Sequence, residues 1–204
     1  SLIKERFRSF GNSQVSLMLR PSGHVGGDLV GFFPINARRV ALFGIDVSGH
    51  GIASALMTAR LAGYLSGNSP EQNIALILSE YGIYDGRDPA EIAAYLNRLI
   101  FEEMDTDAYF TLIYADVDLI TGAVKLVQAG HPHPCILRAD GTVDFFGRGG
   151  MPVGLIPGAS YETVTAQLHP GDRLFLNSDG ITEAADEHDQ MLGDLGLATM
   201  LAEN

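Results

Sequence analysis

Apolar and polar positions alternate in several short runs of this chain, the period of two expected of strands that bury one face. Gln14–Arg20, Asp28–Ile35 and Val40–Asp46 are three such runs. Asn36-Ala37-Arg38 is a short connection between the last two, which predicts a hairpin. The second half repeats the pattern. Tyr109–Val117 and Ala123–Ala129 flank Thr121-Gly122, while Pro134–Arg138 and Val143–Phe146 flank Asp140-Gly141, a strong hairpin signal. Tyr161–Leu168 and Arg173–Asn177 flank His169-Pro170-Gly171-Asp172.

Other segments carry helical spacing. Leu2–Phe10 reads as a short amphipathic helix, Glu71–Glu80 as a helical segment and Asp194–Ala202 as a helical tail. Ile52–Leu65 carries Ala53, Ala55, Ala59, Ala62 and Gly63, small residues that let a helix pack closely on a sheet. In Asp88-Pro89-Ala90-Glu91 an Asp N-cap, a Pro at the first position and a Glu three residues on predict a helix running to about Met104. Helices lie between blocks of hairpins and no regular βαβ alternation appears. The expected class is therefore α+β, layered antiparallel sheets covered by helices. No internal repeat and no long linker divides the chain, so residues 13–204 read as one domain preceded by the helix of residues 1–12.

Charge narrows the function. Thirteen Lys and Arg stand against 25 Asp and Glu, a net charge of −12, and Lys4 and Lys125 are the only lysines. A phosphate backbone needs a basic surface, so nucleic acid is not an expected partner; an anionic membrane surface is disfavoured for the same reason. The longest apolar stretch, Ile52–Leu65, is interrupted by Ser54, Thr58 and Arg60, short of the roughly 20 apolar residues of a membrane span. A single cysteine, Cys135, permits no intrachain disulfide and suits a reducing, cytoplasmic setting.

Three constellations place a carboxylate beside glycines at a strand end: Gly26-Gly27-Asp28, Asp46-Val47-Ser48-Gly49-His50-Gly51 and Asn177-Ser178-Asp179-Gly180. Any one alone reads as a turn. Together, converging carboxylates would repel one another without a cation. Hard divalent ions take oxygen ligands and can activate water for attack on a phosphoryl group. Gly44–Gly51 nearly spells a phosphate-binding loop but lacks its lysine. His131-Pro132-His133-Pro134 reads as a turn rather than a transition-metal pair, since prolines break the strand and no Cys or His cluster accompanies it. Cys135 reads as a small buried apolar residue.

In order along the chain stand Val25-Gly26-Gly27-Asp28, Asp46–Ile52, Phe110–Ala115, Ala129-Gly130-His131-Pro132, Pro152–Leu155, Pro170–Leu174 and Ser178–Ala184. This series resembles the metal-dependent protein phosphatases (the PPM, or type 2C, superfamily) in their bacterial SpoIIE/RsbU-type branch. The resemblance implies an αββα sandwich of two antiparallel sheets flanked by helices. It also implies phosphoserine or phosphothreonine hydrolysis with two divalent cations, Mn²⁺ or Mg²⁺. Carried over by position, Asp46 would bridge both ions, the Val47 carbonyl and Asp28 would serve one, and Asp179 would hold the other. Gly27, Gly49 and Gly180 would support the turns and His50 is a candidate acid; no Arg is assigned as the phosphate clamp, and Arg148 is a candidate only through its place in a Gly-rich loop. The implied substrate is a phosphorylated anti-anti-sigma-type protein in partner switching, with a receiver or sensor domain upstream, joined through residues 1–12. Two departures stand out. Gly31 occupies a position that is often acidic in the branch, and the chain stops at Asn204 before the closing Asp-Asp-Ile/Met-Thr strand. They motivate a second expectation, a degenerate phosphatase fold that binds an anti-sigma antagonist or sigma factor without turnover.

Overall fold

The computed structural model describes residues 5–19, 27–49, 51–103, 107–184 and 191–203. The elements run β1 (Phe7–Phe10), β2 (Ser13–Ser16), β3 (Asp28–Pro34), β4 (Arg39–Val47), α1 (Ile52–Tyr64), β5 (Leu76–Leu78), β6 (Tyr84–Gly86) and α2 (Pro89–Glu103). They continue with β7 (Phe110–Asp118), β8 (Ala123–Ala129), β9 (Cys135–Leu137), β10 (Val143–Phe145), β11 (Thr163–Gln167), β12 (Arg173–Phe175), α3 (Asp179–Thr182) and α4 (Gly193–Ala202).

Alternation along β4 and β7 sets the layers. Five strands pair antiparallel in the order β11-β8-β7-β4-β3. On one face Ala41, Phe43, Ile45 and Val47 join Phe110, Leu112 and Tyr114 against Met57 and Leu61 of α1 and Ile92, Leu96 and Ile100 of α2. On the other, Val40, Ile113, Ala115, Val117, Val124 and Leu126 meet Phe146, Leu174 and Leu176. That second face looks toward the three-stranded antiparallel sheet β10-β9-β12, and α4 lies against β10. The expected α+β sandwich with helices outside two antiparallel sheets is therefore present. Each large apolar side chain buried in these layers contributes about 1.5–3 kcal/mol. Asp88 caps α2 as its sequence suggests, its Oδ1 accepting from the Ala90 N–H at 3.0 Å. Among the described residues no helix is long and apolar enough to cross a membrane.

Two helical expectations fail. Within Leu2–Phe10, residues 7–10 form strand β1, which pairs with β2 through a turn at Gly11 (φ 57°). The Phe10 ring packs edge-on against Phe32, 6.2 Å between centroids, so a sheet contact overrides the helical spacing. A boundary between residues 12 and 13 would thus cut a hairpin. Glu71–Glu80 is not helical either. After a 3-10 turn at Pro70–Gln72, buried Asn73 donates from Nδ2 to Ser66 O (3.1 Å) and accepts from the Ala75 N–H (2.9 Å). Those bonds bend the chain into β5, which pairs with β6.

Candidate functional site

Register brings the first two carboxylates together. Asp28 of β3 stands directly opposite Asp46 of β4, and Asp46 directly opposite Thr111 of β7. Since Ile45 and Val47 point to the helices, this row faces the second sheet, at the end where β4 leaves it. From across the sandwich, the segment after β12 delivers Asp179 at the start of α3. Asp46, Thr111, Gly130, His131, Pro132 and Asp179 line a pocket of ≈ 230 Å³.

The electrostatics are those of crowded carboxylates. Burial, the charge of Asp28 and that of Asp179 push the Asp46 carboxyl up to about 6. Burial and then the Asp179 charge also raise Asp28. Among the described residues no Lys or Arg pairs with any of the three. Nor are three Asp, Glu, His or Cys groups gathered there tightly enough to enclose an ion. The donor set nevertheless fits hard divalent cations: all-oxygen, half-buried, anionic and without a protein counter-charge.

The surrounding backbone explains the glycines. A Cβ on Gly27 would stand 2.5 Å from the Val47 carbonyl oxygen, so only glycine lets β3 and β4 approach this closely. The Val47 N–H donates to Gly27 O at 3.2 Å, and Thr58 Oγ1 of α1 lies 3.2 Å from that same carbonyl. Gly49 has φ 82°, the left-handed region. Gly180 corrects the expectation of a glycine-dependent turn: it sits inside α3 without a positive φ, and its Cβ would meet only Ser178 Oγ at 3.8 Å. Gly31 belongs to packing instead of chemistry, since a Cβ there would lie 2.4 Å from the Phe43 ring, in the helix-side core. Arg148 is not at the pocket; it is exposed and pairs with Glu162 at 3.0 Å. His50 lies outside the described residues. Cys135 is buried as expected.

Thr111 and His131 are pocket residues that the sequence reading did not assign to the site. His131 is buried, its Nδ1 lies 2.9 Å from Thr111 Oγ1, and burial lowers its pKa to about 4, leaving a neutral ring. His133 turns elsewhere, its Nδ1 3.1 Å from Phe146 O, so the two histidines form no metal pair. The signal available was the motif Ala129-Gly130-His131-Pro132; what it lacked was the sheet register that puts Thr111 beside Asp46.

A family model described as Stage II sporulation protein E (SpoIIE) matches residues 36–204. Phosphoserine phosphatase RsbP of Bacillus subtilis (strain 168) is 27% identical over 175 residues, 83% of this chain and 40% of RsbP. The PP2C phosphatase domain of the cell fate determinant SpoIIE from Bacillus subtilis, solved with a fragment of its regulatory domain, superposes with TM-score 0.67 at 24% identity, covering 89% of this chain and 49% of that one. The RsbU and RsbW domains of Rv1364c from Mycobacterium tuberculosis give TM-score 0.68 at 21% identity, covering 90% and 47%. The chain spans less than half the length of each. The fold is that of the PP2C phosphatases.

Proposed function

The chain belongs to the SpoIIE family, and from that premise we propose that it is a metal-dependent protein serine/threonine phosphatase of bacterial partner-switching control. Its substrate would be a phosphorylated anti-anti-sigma-type protein, and its setting cytoplasmic, downstream of a receiver or sensor domain. One observation carries the reading: Asp28 and Asp46 face each other across adjacent strands, with Asp179 close enough to raise both. The description of RsbP as a phosphoserine phosphatase supports it.

Asp28, Asp46, Asp179 and the Val47 carbonyl would hold two divalent ions, Mn²⁺ or Mg²⁺. Such ions, when bound, neutralise phosphoryl charge and make water acidic enough to attack at neutral pH. The chain's own part is placement. Asp46 is fixed by pairing on both sides, opposite Asp28 and Thr111. Without a cation its carboxyl keeps its proton up to about pH 6. In this reading the ≈ 230 Å³ pocket lined by Asp46 and Asp179 would receive the phosphoryl group.

The test is hydrolysis of a phosphoserine-protein panel with Mn²⁺, with Mg²⁺ and with chelator. Metal-dependent turnover lost in Asp46→Asn is the expected result; turnover that persists in Asp46→Asn overturns the assignment. A second reading, a binding module without turnover, is favoured by the absence, among the described residues, of three ligands already gathered around one point. Tight, metal-independent capture of an anti-sigma or sigma protein with no hydrolysis would establish it.

A further inference from the structure

Along β8 the face that looks toward the second sheet carries Val124, Leu126 and then Gln128, so a buried amide ends a row of buried aliphatic side chains. Burying an amide is costly unless its polar groups are satisfied. Here each is met by main chain from a different loop. Nε2 donates to the His131 carbonyl at 2.7 Å, and Oε1 accepts from the Gly149 N–H at 2.7 Å. A carbonyl only accepts and an N–H only donates, so these two partners fix which way the amide faces.

The His131 carbonyl belongs to the pocket, whose Gly130-His131-Pro132 wall stands with Asp46 and Asp179 around one space. The Gly149 N–H belongs to residues 147–153, which run from β10 in the three-stranded sheet to β7 in the five-stranded one. That segment is wound closely on Gln128. At Gly147 (φ 92°) a Cβ would stand 2.3 Å from Gln128 Oε1, and at Gly150 (φ 119°) one would stand 2.5 Å from the Gln128 main-chain oxygen. Farther along, Pro152 lies where a Cβ on Gly130 would be, 2.6 Å away. Val153 then exchanges two main-chain hydrogen bonds with Phe110, at 2.8 and 2.9 Å, next to Thr111 of the pocket.

We propose that Gln128 is a positioning residue: it fastens the Gly130–Pro132 wall of the pocket to the glycine loop at 147–150, and so holds that wall at a fixed distance from Asp46 and Asp179. The inference rests on the phosphatase reading above. Gln128 does not line the pocket, and its side-chain amide bonds to main chain, not to the three carboxylates. Its influence therefore falls on the seating of the phosphoryl group and spares the cations. Misplacement of a reacting group by about 1 Å can cost on the order of a hundredfold in rate.

The experiment compares Gln128→Met with Asn97→Leu in the intact protein. Met keeps much of the side-chain volume and makes neither hydrogen bond. Buried Asn97 anchors the same connection farther along, accepting from the Gly154 N–H at 2.7 Å and donating to Ile156 O at 3.0 Å, and it has no bond to the wall. Four quantities are measured: kcat/KM per folded molecule on a phosphoserine protein and on p-nitrophenyl phosphate, Mn²⁺ affinity by electron paramagnetic resonance of the free ion, and melting temperature in chelator. Gln128→Met should lower kcat/KM about tenfold or more on both substrates with Mn²⁺ affinity unchanged. Asn97→Leu should lower the melting temperature and leave kcat/KM and Mn²⁺ affinity at wild-type values. Wild-type kcat/KM in Gln128→Met overturns the proposal, as does an equal loss in both variants or a weakened Mn²⁺ affinity in Gln128→Met. A measurement on the unaltered protein covers the case in which Gln128→Met does not fold. With Mg²⁺ present, inorganic phosphate should slow hydrogen exchange at the Gly149 amide together with the amides of the pocket. Protection of the pocket amides with no change at Gly149 overturns the proposal. If the unaltered protein binds no Mn²⁺ and hydrolyses neither substrate, the phosphatase reading falls and this inference with it. If it does both while Gln128→Met is indistinguishable from it, this inference alone falls.

Discussion

The two ends of strand β4 treat acidic residues in opposite ways. At its start, Arg39 pairs with buried Asp116 and with Asp85 of β6, while neighbouring Arg38 reaches Asp118 at 2.6 Å. There the Arg38 hydrogen bond holds the Asp118 carboxyl far below the usual carboxylate range. At its finish, Asp46 faces Asp28 with no described cation beside it, and its carboxyl rises to about 6. One strand thus carries a carboxylate cluster paired by arginines at one end and, at the other, one that no described Lys or Arg balances. Such unbalanced charge lowers stability, and clusters of perturbed groups concentrate at functional sites.

The largest expected effect breaks the comparison at the unbalanced end. Asp46→Asn should reduce metal-dependent phosphoprotein turnover about a hundredfold or more, measured at saturating substrate, while the circular dichroism of the folded chain is retained. At the balanced end, Arg39→Ala leaves Asp116 buried without its partner. We expect it to cost about 2 kcal/mol in urea-unfolding stability, with turnover per folded molecule unchanged.

A smaller effect follows from protonation. Asp46 has its pKa raised on folding, so the folded metal-free chain binds more protons than the unfolded chain. Its stability should therefore fall as pH rises from the unfolded value near 4 through about 6 and then level off. Because the site is half open to solvent, the loss should be about 1 kcal/mol. Urea midpoints in chelator at pH 4.5 and 7, compared between wild type and Asp46→Asn, measure it; the variant should lack that component. The smallest effect belongs to Arg38→Ala, an exposed pair, whose removal should leave the urea midpoint essentially unchanged.

How much of this was legible in the sequence depended on how local each cause is. The central strands were plain because alternation along β4 and β7 is written residue by residue, and each face has a core to fill. The carboxylates were visible through the glycines beside them. Residues 7–10 were misread because a hairpin partner three to nine residues downstream decides their state, and the turn at Gly11 makes that partner available. Glu71–Glu80 failed through one side chain, Asn73, whose two hydrogen bonds outweigh a modest helical spacing. Thr111 and His131 were seen as parts of motifs but not assigned to the site, because their place there arises from pairing across 65 residues of sequence, Asp46 to Thr111, which no local pattern encodes.

The pairing of Asp28 with Asp46 also makes β3 a strand whose errors cannot be silent. β3 lies at the edge of its sheet, with β4 as its neighbour, so nothing beyond it corrects a misalignment. A slip by one residue would keep the backbone ladder and the strand count. It would turn Asp28 into the helix-side core and swing Leu29 toward the pocket. A molecule folded that way would pass a test of secondary structure and fail at the pocket, so in this protein the competence of the site doubles as a proofreading signal for strand alignment.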